Sequence, residues 1–74
     1  MPGRFLTLDE VAEELAVTKT QVYTMVRKGE LTAIRIGTKG HWRVERVKLE
    51  EYIAAQYTQT AQYVRNNPLV DPGD

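Results

Sequence analysis

Two capping boxes stand close together near the start of the chain, Thr7-Leu8-Asp9-Glu10 and Thr18-Lys19-Thr20-Gln21. In such a box the threonine hydroxyl accepts from the backbone N–H three residues on, and the Glu or Gln side chain reaches back to the threonine's own N–H. Each box therefore opens a helix. The first runs to about Ala16, with Leu8, Val11, Ala12 and Leu15 on one stripe and Asp9, Glu10, Glu13 and Glu14 on the other side. The second begins at Thr18, carries Val22, Met25 and Val26 as its apolar stripe, and ends at Gly29, which readily takes the left-handed conformation that closes a helix. Two separately capped helices with only Val17 between them cannot remain collinear, and a compact helix-turn-helix follows.

The period of the pattern then changes. Thr32-Ala33-Ile34-Arg35-Ile36 alternates, as does His41-Trp42-Arg43-Val44, and Gly37-Thr38-Lys39-Gly40 between them reads as a hairpin turn. Ile34, Ile36, Trp42 and Val44 are expected on the inner face, with Trp42 plugging the core, and Arg35, His41 and Arg43 on the outer one. A two-stranded hairpin is marginal alone and must lean on the helices. A third helix starts near Arg46, with Leu49, Tyr52 and Ile53 facing the core. Its stripe can continue through Gln56, Tyr57, Thr60 and Val64, but Tyr57–Val64 is rich in Thr and Gln, weaker helix formers. Asn66-Asn67-Pro68 stops any helix. Residues 1–57 thus read as one domain, mostly α with a small β-hairpin, in the order helix, helix, hairpin, helix: a winged helix-turn-helix. Residues 58–74 read as a C-terminal extension, partly helical and then disordered. Phe5 and Leu6 are apolar enough to pack on the first helix.

Composition excludes several function classes. The chain has 74 residues and no cysteine, so neither a disulfide nor a thiolate metal site reinforces its thin core. His41 is the sole histidine, which argues against a protein-only zinc site. No cofactor is implied. No run approaches the length of a membrane span and the N-terminus lacks a signal-peptide apolar region, which points to a cytoplasmic, nucleoid-associated protein. An enzyme is not expected, because a catalytic pair would have to use His41 at an exposed turn with no wall to exclude water. Adjacent acids such as Glu13 and Glu14 or Glu50 and Glu51 diverge around a helix.

Net charge is zero, yet residues 18–48 hold eight basic side chains and two acidic ones, Glu30 and Glu45. The molecule is strongly dipolar, and local potential matters more than net charge for a polyanionic partner. On the second helix Thr20, Thr24 and Arg27 lie opposite the apolar stripe, flanked by Gln21, Tyr23 and Lys28, with Thr18 and Lys19 at its start. This is the face a recognition helix needs: an apolar back and hydrogen-bonding groups sized for a major groove. Gln21 can pair with adenine, Lys19 with guanine, and a Thr20 or Thr24 methyl can meet a thymine methyl. Arg27, Lys28 and the Tyr23 hydroxyl suit phosphates, which position without reading sequence. Arg35, Lys39, His41 and Arg43 make the hairpin a basic wing. The acidic first helix should not line double-stranded DNA.

The run from Phe5 to Ile53 resembles the excisionase-type, MerR-like winged helix-turn-helix domains. Leu6-Thr7-Leu8-Asp9-Glu10-Val11-Ala12 looks like their opening, LAVTKTQVYTMVRKGEL their turn and recognition helix, TAIRIG their first wing strand, and WRVERVKLEEYI their second strand and closing helix. The resemblance implies sequence-specific DNA binding by a regulator or excisionase, often cooperative on repeated sites and with DNA bending. It carries recognition roles to Lys19, Thr20, Gln21, Tyr23, Thr24 and Arg27, and wing roles to Lys39, His41 and Arg43. The wing tip Thr38-Lys39-Gly40-His41 is longer than the family pattern. Such a small reader is expected to work in several copies, with Tyr57–Val64 as a candidate self-contact. The competing reading is a protein-interaction module that docks a recombinase or transcription-machinery partner through the acidic first helix or the tyrosines of the third.

Overall fold

Both threonine caps form as the sequence requires. In the computed structural model, which describes residues 3–67, the Thr7 hydroxyl accepts from Glu10 N–H at 3.1 Å and Glu10 Oε1 accepts from Thr7 N–H at 2.8 Å. Helix α1 (Leu8–Leu15) follows. Its end is set by Ala16, which takes the left-handed conformation (φ 58°) so that its N–H can bond back to Ala12 and Glu13 carbonyls. The chain is thereby turned into the second box, where Gln21 N–H donates to the Thr18 hydroxyl at 3.1 Å and helix α2 (Lys19–Arg27) begins. Gly29 (φ 78°) closes α2, as expected.

Strands β2 (Ile34–Ile36) and β3 (His41–Glu45) form the hairpin. A further strand, β1 (Phe5–Leu6), pairs antiparallel with β3, so the sheet is three-stranded with order β1-β3-β2. Leu6 pairs with Val44 and both are buried, but Phe5 pairs with Glu45 on the outer face and is exposed rather than packed on α1. The register corrects the expected hairpin faces. Ile34 pairs with Arg43, Arg35 with Trp42, and Ile36 with His41. Residues directly opposite one another in an antiparallel pair share a face. Ile34 and Ile36 therefore lie outside with His41 and Arg43, each 45 % exposed. Arg35 shares the face of Trp42 and Val44, with its guanidinium 5.6 Å from the Trp42 ring centroid.

Every element but β2 contributes to one core: Leu6 from β1; Leu8, Val11 and Ala12 from α1; Val22 from α2; Leu31 from the connection; Val44 from β3; Leu49 from α3. Trp42, Tyr52 and Ile53 pack against it half-buried. Burying a side chain the size of Val or Leu contributes about 1.5–3 kcal/mol, so this small set carries most of the favourable term.

Helix α3 (Arg46–Asn66) starts without a side-chain cap and runs unbroken for 21 residues. It continues well past residue 57, and from Tyr57 to Asn66 every residue is exposed. The molecule is consequently elongated, 48 × 24 × 21 Å. The sequence-based expectation of a disordered tail falls on residues 69–74, outside the described residues. Among the described residues, no helix is long and apolar enough to cross a membrane.

Candidate nucleic-acid interface

The outer face of α2 is built by its cap and its register. Val22 is wholly buried, which turns Lys19, Thr20, Gln21, Tyr23, Thr24, Arg27 and Lys28 to the exposed side. Several of these side chains are pre-positioned. The Tyr23 hydroxyl accepts from Arg27 Nη1 at 3.3 Å, and the guanidinium lies 5.7 Å from the ring centroid. The Thr24 hydroxyl donates to the Thr20 carbonyl at 3.0 Å. Gln21 Oε1 accepts from both Thr18 N–H at 2.9 Å and the Thr18 hydroxyl at 3.2 Å. Its amide oxygen thus serves the cap, and only the NH2 end is free to donate outward. The Thr18 hydroxyl is likewise engaged at the helix start.

The hairpin tip faces the start of α2 across a cleft lined by Thr7, Asp9, Lys19, Gly40, His41, Trp42 and Arg43. The structure thus brings Lys19 together with His41 and Arg43, residues far apart in sequence. Lys19 Nζ lies 3.6 Å from Asp9 Oδ2, so the first turn of α1 reaches this cleft. Arg43 Nη1 donates to the Trp42 carbonyl at 2.7 Å. Arg35 departs from its expected outward position: its guanidinium lies over Trp42 and beside Gly40, whose φ of 70° and lack of a side chain make room for it. Lys39, with Thr38, stands exposed at the tip.

The pairing of the remaining cations sharpens the charge pattern. Arg46 Nη2 lies 2.8 Å from Glu14 and Nη1 lies 3.6 Å from Glu50, so Arg46 clamps α1 to α3. The Glu14 hydrogen bond is the main reason its pKa is raised. Its Nε is buried with no hydrogen-bond partner. Lys48 lies 3.6 Å from Glu51, and Arg4 pairs with Glu45 at 2.8 Å. Among the described residues, Arg27, Lys28, Arg35, Lys39 and Arg43 have no carboxylate within 4.0 Å. The basic window of the sequence therefore divides: Arg46 and Lys48 are spent on internal pairs, and the free cations collect on α2 and the hairpin. Among the described residues, no group of three His, Cys, Asp or Glu side chains is placed to hold a metal.

Residues 5–57 match the family model described as a helix-turn-helix domain, a span from β1 to the last core-facing turns of α3. The chain is also 33 % identical over 60 residues to a protein of Saccharopolyspora erythraea named as a probable excisionase. That comparison covers 80 % of this chain and 59 % of the relative, so the chain spans well under two thirds of that protein's length. No solved structure matches the chain. With the family match covering both capped helices and the whole sheet, the chain belongs to the helix-turn-helix domain family.

Proposed function

We propose that this protein binds DNA sequence-specifically, as a transcriptional regulator or an excisionase-like architectural factor, with α2 in the major groove and the β2–β3 hairpin as a wing on the flanking backbone. The observation that carries this reading is the separation of cations within the basic window of residues 18–48: among the described residues, those without acidic partners lie on α2 and the hairpin, while Arg46 and Lys48 pair with acids elsewhere. Family membership and the similarity to a probable excisionase support the same conclusion.

In this reading Lys19, Thr20, Thr24 and the Gln21 NH2 face base edges, Tyr23, Arg27 and Lys28 hold phosphates, and Thr18 fixes the helix start and the Gln21 side chain. The Tyr23–Arg27 contact lowers the freedom lost when Arg27 docks. Lys39, His41 and Arg43 engage the flanking backbone or minor groove, and Arg35 supports the wing by stacking on Trp42 while its charge adds to the local field. Lys19 exchanges Asp9 for the nucleic acid. Residues 1–57 form the reading unit and 58–74 an extension of it. The protein acts without catalysis, in the cytoplasm at the nucleoid, and several copies occupy neighbouring sites because one copy offers few phosphate contacts.

The test is recovery of bound genomic fragments by selection, followed by anisotropy titrations on a selected duplex over a salt series. With Arg27, Lys28, Lys39 and Arg43 on phosphates, log K against log salt falls with a slope of about −3.6. The double variant Arg27→Ala/Lys28→Ala flattens it by about 1.8. Absence of any binding at low salt sinks the reading.

A further inference from the structure

Asp9 stands where an acid is least expected, on the cleft that Lys19, His41 and Arg43 also line. The start of α1 does not need it as a cap, because the Thr7 hydroxyl and the Glu10 carboxylate already make the reciprocal bonds. Glu14 of the same helix is turned away to Arg46. Asp9 Oδ2 instead lies 3.6 Å from Lys19 Nζ, too far for a good hydrogen bond, with the two side chains 69 % and 62 % exposed. Among the described residues, neither charged group takes part in a side-chain hydrogen bond. A donor and an acceptor therefore stand side by side at the cleft with their hydrogen-bonding capacity unused.

When Lys19 turns to the nucleic acid, a carboxylate left alone at the groove is repelled by phosphates unless a donor meets it. The base-edge donors of the major groove are cytosine N4 and adenine N6. Adenine N6 lies between two acceptors, its own N7 and thymine O4, and both repel a carboxylate. Cytosine N4 has a single acceptor beside it, guanine O6, and O6 with N7 is where a lysine ammonium binds. A G·C pair thus presents acceptors and a donor in adjacent positions, the complement of Lys19 and Asp9.

We propose that Asp9 is a specificity-determining residue, accepting from cytosine N4 of the same G·C pair whose guanine Lys19 contacts. The inference rests on the DNA-binding reading and adds to it a base contact from α1. Its carboxylate is the exception to the general rule that an acidic helix stays clear of a duplex, because it arrives with a cation. Lys19 and Asp9 together are neutral, so they select sequence while the phosphate-facing cations set the salt slope. The couple also has a direction, with the acceptor on α1 and the donor on α2. The left-handed turn at Ala16 and the cap at Thr18 hold the two helix starts in register. A C·G pair at the same place sets its donor against Lys19 and its acceptors against Asp9, so it is rejected together with A·T.

The test uses the full chain on duplexes recovered by selection, with each base pair replaced in turn and affinity read by anisotropy. The wild type is expected to show one G·C pair at which inversion to C·G or change to A·T costs roughly 5- to 150-fold. Asp9→Ala and Lys19→Ala each lose discrimination at that same pair and keep it elsewhere. Replacing its cytosine by N4-methylcytosine, which still pairs with guanine but covers the major-groove N–H, weakens the wild type and leaves Asp9→Ala indifferent. The modified duplex needs no protein variant, so a poorly folded Asp9→Ala does not shield the proposal. Stabilisation of α1 by Asp9 cannot by itself change which base is preferred. If Asp9→Ala instead tightens binding to every duplex by one common factor, or if no cytosine responds to N4-methylation, Asp9 reads no base and the proposal is overturned. Sequence-specific binding with discrimination independent of Asp9 refutes this contact alone, whereas absence of any binding refutes the DNA-binding reading and the contact with it.

Discussion

Gln21 caps α2 and, in the proposed function, also contacts DNA; Gln21→Glu separates the two roles. The Gln21 side-chain oxygen accepts from Thr18 N–H at 2.9 Å, a bond a carboxylate makes equally well. A negative charge in the first turn of α2, which carries no acidic residue of its own, is worth about 0.3–1 kcal/mol through the helix dipole. The carboxylate forfeits the hydroxyl hydrogen of Thr18 no more than the amide did, so folding stability is expected to rise by about 0.5 kcal/mol. Binding moves the other way. The variant loses the only donor that Gln21 can offer outward and sets an anion against the duplex; a lost base contact alone costs about 1–3 kcal/mol, or roughly 5- to 150-fold in affinity. Urea unfolding followed by Trp42 fluorescence reads the first effect, and anisotropy titration at fixed salt reads the second. Gln21→Ala is the control, losing about 1 kcal/mol or less of cap stability along with affinity. If Gln21→Glu lowers stability as much as Gln21→Ala does, the cap assignment is wrong. Should its affinity equal that of the wild type, Gln21 does not face the DNA.

Gly40→Ala forces a side chain into a left-handed position and against the Arg35 guanidinium; it is expected to destabilise the hairpin by about 1–2 kcal/mol in urea unfolding and to weaken DNA binding. Arg46→Met removes the clamp between α1 and α3 and lowers the thermal midpoint, while single-site DNA affinity at matched salt stays unchanged because Arg46 is internally paired. Tyr52 has its pKa raised above 10.0, first by burial and then by Glu30. The unfolded chain therefore ionises this group before the folded one, so its contribution is intact below pH 10.0 and is lost as pH climbs through the folded value. Tyr52→Phe is expected to flatten the alkaline loss of stability, measured by chemical unfolding on either side of that pH.

The two helices were legible because each begins with a reciprocal cap, a signal wholly local to four residues. Gly29 marked the end of α2 for the same reason. The hairpin itself was legible, but its faces required one more step. With the four-residue turn Gly37–Gly40, Ile36 must stand opposite His41, so the outer row is Ile34, Ile36, His41 and Arg43. Apolar character alone argued for putting the isoleucines inside, and pairing parity overrode it. Strand β1 escaped notice because two residues are too few to display a period. The role of Arg46 depends on Glu14, 32 positions away, and no local pattern records such a pair. Helix α3 runs beyond the point where Thr and Gln weaken its propensity, continuing the stripe that was visible in the sequence. The cleft between Lys19 and the hairpin tip exists only once the sheet folds back on α1.

The hairpin is rooted as firmly as its tip is free. Val44 is wholly buried, β1 holds the other edge of β3, and Arg46 N–H donates to the Arg4 carbonyl at 2.7 Å just below it. A wing anchored in this way has little left to order when it meets a ligand. On the proposed DNA-binding reading its association belongs to the rigid-body class, in which no folding transition accompanies binding and little apolar surface is newly covered. Calorimetry should register that as a small heat-capacity change, with an affinity governed chiefly by displaced counterions.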